Sequence, residues 1–304
     1  MRPPQPNMFA NNPLDRASHR RVDQAWLEAR LKDPKSRLLP FRDLQPLLFD
    51  GADQGPAWLR PGLIEAEFGG RGAVVFLGLE GDIAHFAVEI KDGSPAFDDL
   101  GGGFRDLREC VLTGAVGGGE AAILAQGKAL IDWHSRHRFC AACGNPTELA
   151  EAGYKRFCRA CNAEHFPRTD PVVIMLAHRD GKALLGRGKN FPGRMFSALA
   201  GFIEPGETIE EAVAREIREE SGIEVGAVHY HSTQPWPFPM SLMIGCLAEA
   251  VSEEITIDEA EIAECRWVPR DVLRDALHGR GDGSISVPPP MAIAHHLIRA
   301  FVEM

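Results

Sequence analysis

The chain has 304 residues, 44% of them apolar, which suits two or three domains with sizeable cores and is too long for one average domain. Its formal charge of -10 argues against a broad, sequence-blind grip on nucleic acid, since that needs a net basic surface to displace phosphate counterions; local basic pockets stay open. The longest apolar stretches, 72–79 and 172–177, fall far short of the roughly 20 residues that span a bilayer, so no membrane partner is expected.

The first residues, MRPPQPNMFANNPLDR, lack the basic start and apolar stretch of a secretory signal, and a cytoplasmic location is expected. Residues 1 to about 20 are rich in Pro, Asn and Arg without periodicity and read as a loosely held lead-in. From Val22 to about 119, short apolar runs such as LLPFRDLQPLLFD and AHFAVEI are broken by Gly, Pro and Asp, which predicts a mostly β domain. No chemical motif is readable there. In EAAILAQGKALIDWHSRH, Ala122, Ile123, Leu130, Ile131 and Trp133 recur at helical spacing, predicting a helix that leads out of this domain.

Seven cysteines are an odd number for disulfides, and four form two tight pairs: Cys140 and Cys143, then Cys158 and Cys161. The fourteen residues between the pairs fit a β-hairpin, and Gly144, Asn145, Pro146 and Asn162 supply the turn chemistry that such knuckles require. Four thiolates then close a tetrahedron around a structural Zn²⁺ with no open position for chemistry. His165 is read as an ordinary residue of the strand leaving the module, and His134 and His137 as interfacial or exposed. Cys110, Cys246 and Cys265 are left as reduced core thiols.

From Pro171 the order PVVIMLAH, KALLGRG, a Gly-rich loop, a helix and SLMIGCLAEA predicts an α/β or α+β domain on a central sheet. The organisation expected is 1–135, 136–167 and 168–304. Thr208 is an N-cap and Gly222 a C-terminal stop for one helix, with Ile209, Val213 and Ile217 as its buried stripe. Glu216, Glu219 and Glu220 then converge at i, i+3 and i+4. Like charges so close repel, and hard divalent ions that bridge carboxylates to phosphates would relieve them. A solvated acidic helix fits the carboxylates equally well.

Residues 201–223 break that tie. Gly201, five residues, Glu207, seven residues, Arg215-Glu216, an aliphatic, any residue, Glu219-Glu220, any residue, Gly222 and the aliphatic Ile223 resemble the Nudix box at every fixed position. The resemblance implies that Glu216, Glu219 and Glu220 bind catalytic Mg²⁺ or Mn²⁺, with Glu220 or another carboxylate as base. It also implies that Arg215 pairs with Glu207 to orient the loop.

The run Gln234, Pro235, Trp236, Pro237, Phe238, Pro239, Met240, Ser241, with Thr233 in place of a serine, resembles the SQPWPFPxS signature of the NADH pyrophosphatases and NAD-capped RNA hydrolases. Interleaved prolines and aromatics make a stiff wall, and Gln234 and Ser241 offer polar ends to a nucleotide. This family implies an α+β fold: a Nudix α/β/α sandwich with a mixed sheet, preceded by a zinc ribbon and a mostly β, Nudix-like N-terminal domain.

It implies further that Phe202, and Phe166 across a homodimer, sandwich a base, that Glu261 helps bind metal or activate water, and that Ala294 touches the base through its backbone. Ala292 departs from the small hydroxyl residue usual there. The implied reaction is water attack on the NAD(H) diphosphate, giving NMN(H) and AMP, or leaving a monophosphate on NAD-capped RNA. Rival readings are a Nudix enzyme for ADP-ribose, diadenosine polyphosphate or coenzyme A, against which the QPWPFP wall argues, and a zinc-ribbon nucleic-acid-binding protein with an inactive Nudix fold, against which the intact carboxylates argue.

Overall fold

The computed structural model describes residues 7–51, 54–63, 71–90, 101–189, 191, 193–281 and 283–304. Two compact units emerge, one of residues 9–169 with 237–240 and one of residues 1–8, 170–236 and 241–304.

In the second unit the central strands are β10 (Asp170–Arg179) and β14 (Ser241–Ala250), paired parallel. Around them lie β11 (Lys182–Gly188), β12 (Leu199–Phe202), β13 (Val225–Trp236) and β15 (Ile262–Pro269), in the order β13-β14-β10-β11-β15 with β12 on β10. Asp180 and Gly181 turn β10 into β11 with both φ angles positive, the pairing that a two-residue hairpin favours. The alternation of β10 sorts its side chains into two cores. Ile174 and Leu176 join Leu297, Ile298 and Phe301 of a helix over Ile293–Glu303, while Val173, Met175 and Ala177 join Ala212, Val213 and Ile217 of a helix over Ile209–Ser221. Because both faces are covered, the strand reads as an unbroken apolar run. The unit is thus a mixed sheet between helices.

The first unit holds β1 (Arg37–Arg42), β2 (Gln45–Phe49), β3 (Gly55–Pro56), β4 (Arg71–Glu80), β5 (Ile83–Ile90) and β6 (Gly102–Phe104). Their order is β3-β2-β1-β5-β4, with β6 on β2. Here too a parallel pair, β1 and β5, is flanked on each side by an antiparallel partner, repeating the arrangement around β10 and β14. The predicted helix runs Gly118–Arg136 and packs on this sheet, and its central residues are buried on nearly every side. It comes close at Gly127, where a Cβ would stand 3.0 Å from the Phe41 ring and 3.2 Å from Ala87. A smaller sheet of β7 (Glu148–Ala150), β8 (Lys155–Phe157) and β9 (Glu164–His165) completes the unit.

The lead-in is not loosely held where it is described; its first six residues lie outside the described ones. Asn7 is 5% exposed and donates to Ser232 Oγ at 2.9 Å and to the Thr233 carbonyl at 2.8 Å. Asp15 bridges Leu79 through two backbone hydrogen bonds, and Phe9, Leu14 and Ala17 are buried. Composition misled here because a few spaced apolar side chains and one amide suffice to anchor an extended segment.

Candidate functional site

The cysteine pairs meet as the spacing predicts. All four Sγ atoms lie within 4.8 Å of one another, with Cys140 to Cys161 at 3.6 Å and Cys143 to Cys158 at 3.5 Å. Tetrahedral Zn²⁺ with bonds of about 2.3 Å needs S···S near 3.8 Å, so the donor set fits. Each knuckle closes on itself: Gly144 N–H donates to Cys140 O, Asn162 N–H to Cys158 O, and both Gly144 and Asn162 have positive φ. Strands β7 and β8 are the hairpin between the pairs.

His134 is 2% exposed and lies between the long helix and the ribbon, so of the two expected settings it takes the interfacial one and not the exposed one. Its Nε2–H donates to Gly153 O at 2.8 Å and its Nδ1 accepts from Arg156 Nη1 at 3.1 Å. Arg156 in turn donates to Thr147 Oγ1 and O. Burial drives the His134 pKa down to about 4, with the Arg156 and His137 charges adding to the effect against the Gly153 bond. His137 is half-buried, its Nδ1–H on Trp133 O.

The carboxylate helix spans Ile209–Ser221. Thr208 and Glu211 form a capping box at its start, and Gly222 at φ 72° closes its end. Val213 and Ile217 are buried while Ile209 is half-buried. Arg215 grips the loop: Nε and Nη2 clamp Glu207 at 2.6 and 2.9 Å, Nη2 also donates to Phe202 O, and Nη1 donates to Glu216 and Glu219 at 2.9 Å each. The Arg215 guanidinium and the Glu204 N–H hold the Glu207 carboxyl down to about 2. Gly201 has no space for a side chain, since a Cβ would lie 1.9 Å from Glu216 Cδ.

Glu220 is 7% exposed and its Oε2 has no hydrogen-bond partner among the described residues. Burial, then the charges of Glu216 and Glu261, push its pKa up to about 8. Burial also raises Glu216, with Glu219 and Glu261 contributing. Glu261 sits in an exposed turn before β15. A buried, unpartnered carboxylate oxygen facing other carboxylates is the donor set that a hard divalent cation fits. The carboxylates are held more loosely than the thiols: among the described residues no carboxylate group closes within 4.8 Å as the cysteines do.

Phe202 and Phe166 are large aromatics left 60% and 59% exposed. Gln234 is 0% exposed, and its amide is fully engaged with backbone: Nε2 donates to Met291 O and Met8 O, and Oε1 accepts from Ile293 N. The sequence reading offered this amide to a nucleotide; here it anchors the helix over Ile293–Glu303 instead. Pro235 and Trp236 end β13, with Trp236 opposite Ser241. Pro237 is buried and Pro239 exposed, while Phe238 meets the Phe9 ring edge-on at 5.9 Å with Arg108 over its face at 4.5 Å. Ala294 is 2% exposed in the first turn of the last helix. Among the leftover thiols, Cys110 and Cys246 are buried as expected but Cys265 is only half-buried. Burial pushes Cys246 up to about 11 and Cys265 up to about 12, which leaves both unreactive.

Comparison with known proteins agrees with this division of chemistry. Residues 167–286 match the NUDIX domain, 135–166 the NADH pyrophosphatase zinc ribbon domain and 35–133 the NADH pyrophosphatase-like rudimentary NUDIX domain. The chain is 40% identical to the NAD-capped RNA hydrolase NUDT12 of Homo sapiens over 98% of this chain and 74% of that one. It is 34% identical to the chloroplastic Nudix hydrolase 19 of Arabidopsis thaliana over 89% and 76%, and 45% identical to the NAD-capped RNA hydrolase NudC of Mycobacterium bovis over 59% of each. With a box helix that buries Glu220 unpartnered, a four-cysteine ribbon and relatives matched over nearly its whole length, the chain belongs to the Nudix hydrolases of the NADH pyrophosphatase and NAD-capped RNA hydrolase family.

Proposed function

We propose that this hydrolase cleaves the diphosphate of NAD(H) to NMN(H) and AMP and removes NAD caps from RNA 5′ ends. The observation that carries the reading is the buried, unpartnered Glu220 Oε2, held against the charges of Glu216 and Glu261 on a box helix. Glu216, Glu219, Glu220 and Glu261 would hold Mg²⁺ or Mn²⁺, which when bound stabilises the charge that develops on the diphosphate. Glu220 or another of these carboxylates accepts the proton of the attacking water. Arg215, through Glu207, Glu216 and Glu219, keeps loop and helix in register. Phe202, with Phe166 of a second copy across the homodimer, flanks the base, and residues 235–241 and the Ala294 backbone contact the nucleotide.

The reading divides the chain at 135 and 167, assigns the active state to a homodimer and places it in the cytoplasm, where reduced thiols bind zinc in preference to forming disulfides. Support for the substrate comes from the names of the relatives, which include a mitochondrial NAD(P)H pyrophosphatase of Mus musculus as well as NAD-capped RNA hydrolases. The test is product analysis with Mg²⁺ or Mn²⁺, offering NADH, NAD, ADP-ribose and NAD-capped RNA side by side. AMP with NMN(H), lost in Glu220→Gln, is the expected result; cleavage of ADP-ribose alone would overturn it.

A further inference from the structure

Four thiolates around one Zn²⁺ leave the centre with a net negative charge, and N–H groups aimed at sulfur offset it. Asn145 does this for Cys143, its Nδ2 lying 3.4 Å from Sγ. Cys140 has a stronger neighbour: His165 Nε2 stands 3.2 Å from its Sγ, across 25 residues of sequence. A metal-bound thiolate has no proton to give, so at this distance the imidazole nitrogen is the donor and the thiolate the acceptor. The imidazole comes from a well-braced place. His165 lies in the two-residue strand β9, opposite Arg156, whose guanidinium is tied to Thr147 and His134. Cys140 is the buried member of its pair, where a fixed donor counts for more than water would.

We propose that His165 is a positioning residue of the zinc centre: its Nε2–H donates to Cys140 Sγ, orients that ligand and slows loss of the metal. This claim stands independently of the substrate. The full chain, loaded with zinc, is challenged with a chromophoric chelator as wild type, His165→Phe and His165→Gln. His165→Phe keeps the bulk but removes the donor and should lose zinc roughly ten- to a hundredfold faster. His165→Gln, whose amide N–H can still donate, should recover most of the wild-type rate.

Cobalt substitution supplies a readout that simple packing would not move. The thiolate-to-cobalt charge-transfer band should keep its four-thiolate intensity in His165→Phe while shifting in energy. Equal zinc-loss rates in wild type and His165→Phe would overturn the proposal, as would equally fast loss in both variants. A wild-type cobalt spectrum of three thiolates would overturn it as well, because His165 would then be a ligand in place of Cys140.

Discussion

Acidifying the protein from pH 7 to pH 5 should loosen the joint between the long helix and the ribbon through His134. Its ring is 2% exposed, with one nitrogen donating to Gly153 O and the other accepting from a guanidinium. A second proton would force N–H against Arg156 Nη1 in a buried site. The folded pKa of about 4 lies below the ordinary histidine value of 6.5, so the unfolded chain binds the proton first as pH falls. The stabilisation is therefore complete above about pH 6.5 and is lost progressively as pH drops toward 4. Integrating between those values gives a loss of about 2 kcal/mol by pH 5 and about 3 kcal/mol in all. The assay is urea unfolding, with zinc supplied, of wild type and His134→Gln at both pH values. The glutamine amide can donate and accept in the same place but does not titrate, so the variant's stability should fall about 2 kcal/mol less than wild type's over that range. An equal fall in the two proteins would refute the reasoning, since every other titrating group is shared.

Glu220 should show the opposite sign. Its folded pKa, raised to about 8, means that the metal-free protein loses stability as pH rises above the ordinary carboxylate range. Glu220→Gln should thus be about 3 kcal/mol more stable than metal-free wild type at pH 7, with the gap closing near pH 4.5, by thermal or urea unfolding. Gly201→Ala drives a methyl into the end of the flexible Glu216 side chain, so it should leave unfolding nearly unchanged while turnover falls on the order of a hundredfold. Asn7→Ala removes two hydrogen bonds to β13, one buried and one partly buried, and should cost about 2 kcal/mol in urea unfolding. No change in that variant would restore the view of the N-terminal segment as loosely held.

Much of the site was legible because it depends on local periodicity. A capped helix with an apolar stripe must present Glu216, Glu219 and Glu220 along one side, and two CxxC pairs with turn residues between them must close on a metal. These are relations among neighbours in sequence, with geometry set by 3.6 residues per turn and by the reach of a hairpin. The same reasoning located the β10 and β14 runs and the long helix.

What a polar side chain does once buried was decided elsewhere. Gln234 looked available to a ligand, and only the approach of Met8 and the Met291–Ile293 backbone engages its amide. His134 could have been interfacial or exposed, and Gly153 and Arg156, about 20 residues on, enclose it. His165 looked ordinary until the fold set it against Cys140. The sequence by itself determined the elements, the metal-binding spacings and the carboxylate face, because each follows from backbone geometry over a few residues. The tertiary structure alone decided which carboxylate is buried without a partner and which imidazole meets a thiolate, because desolvation and hydrogen bonding depend on groups brought together across long stretches of chain.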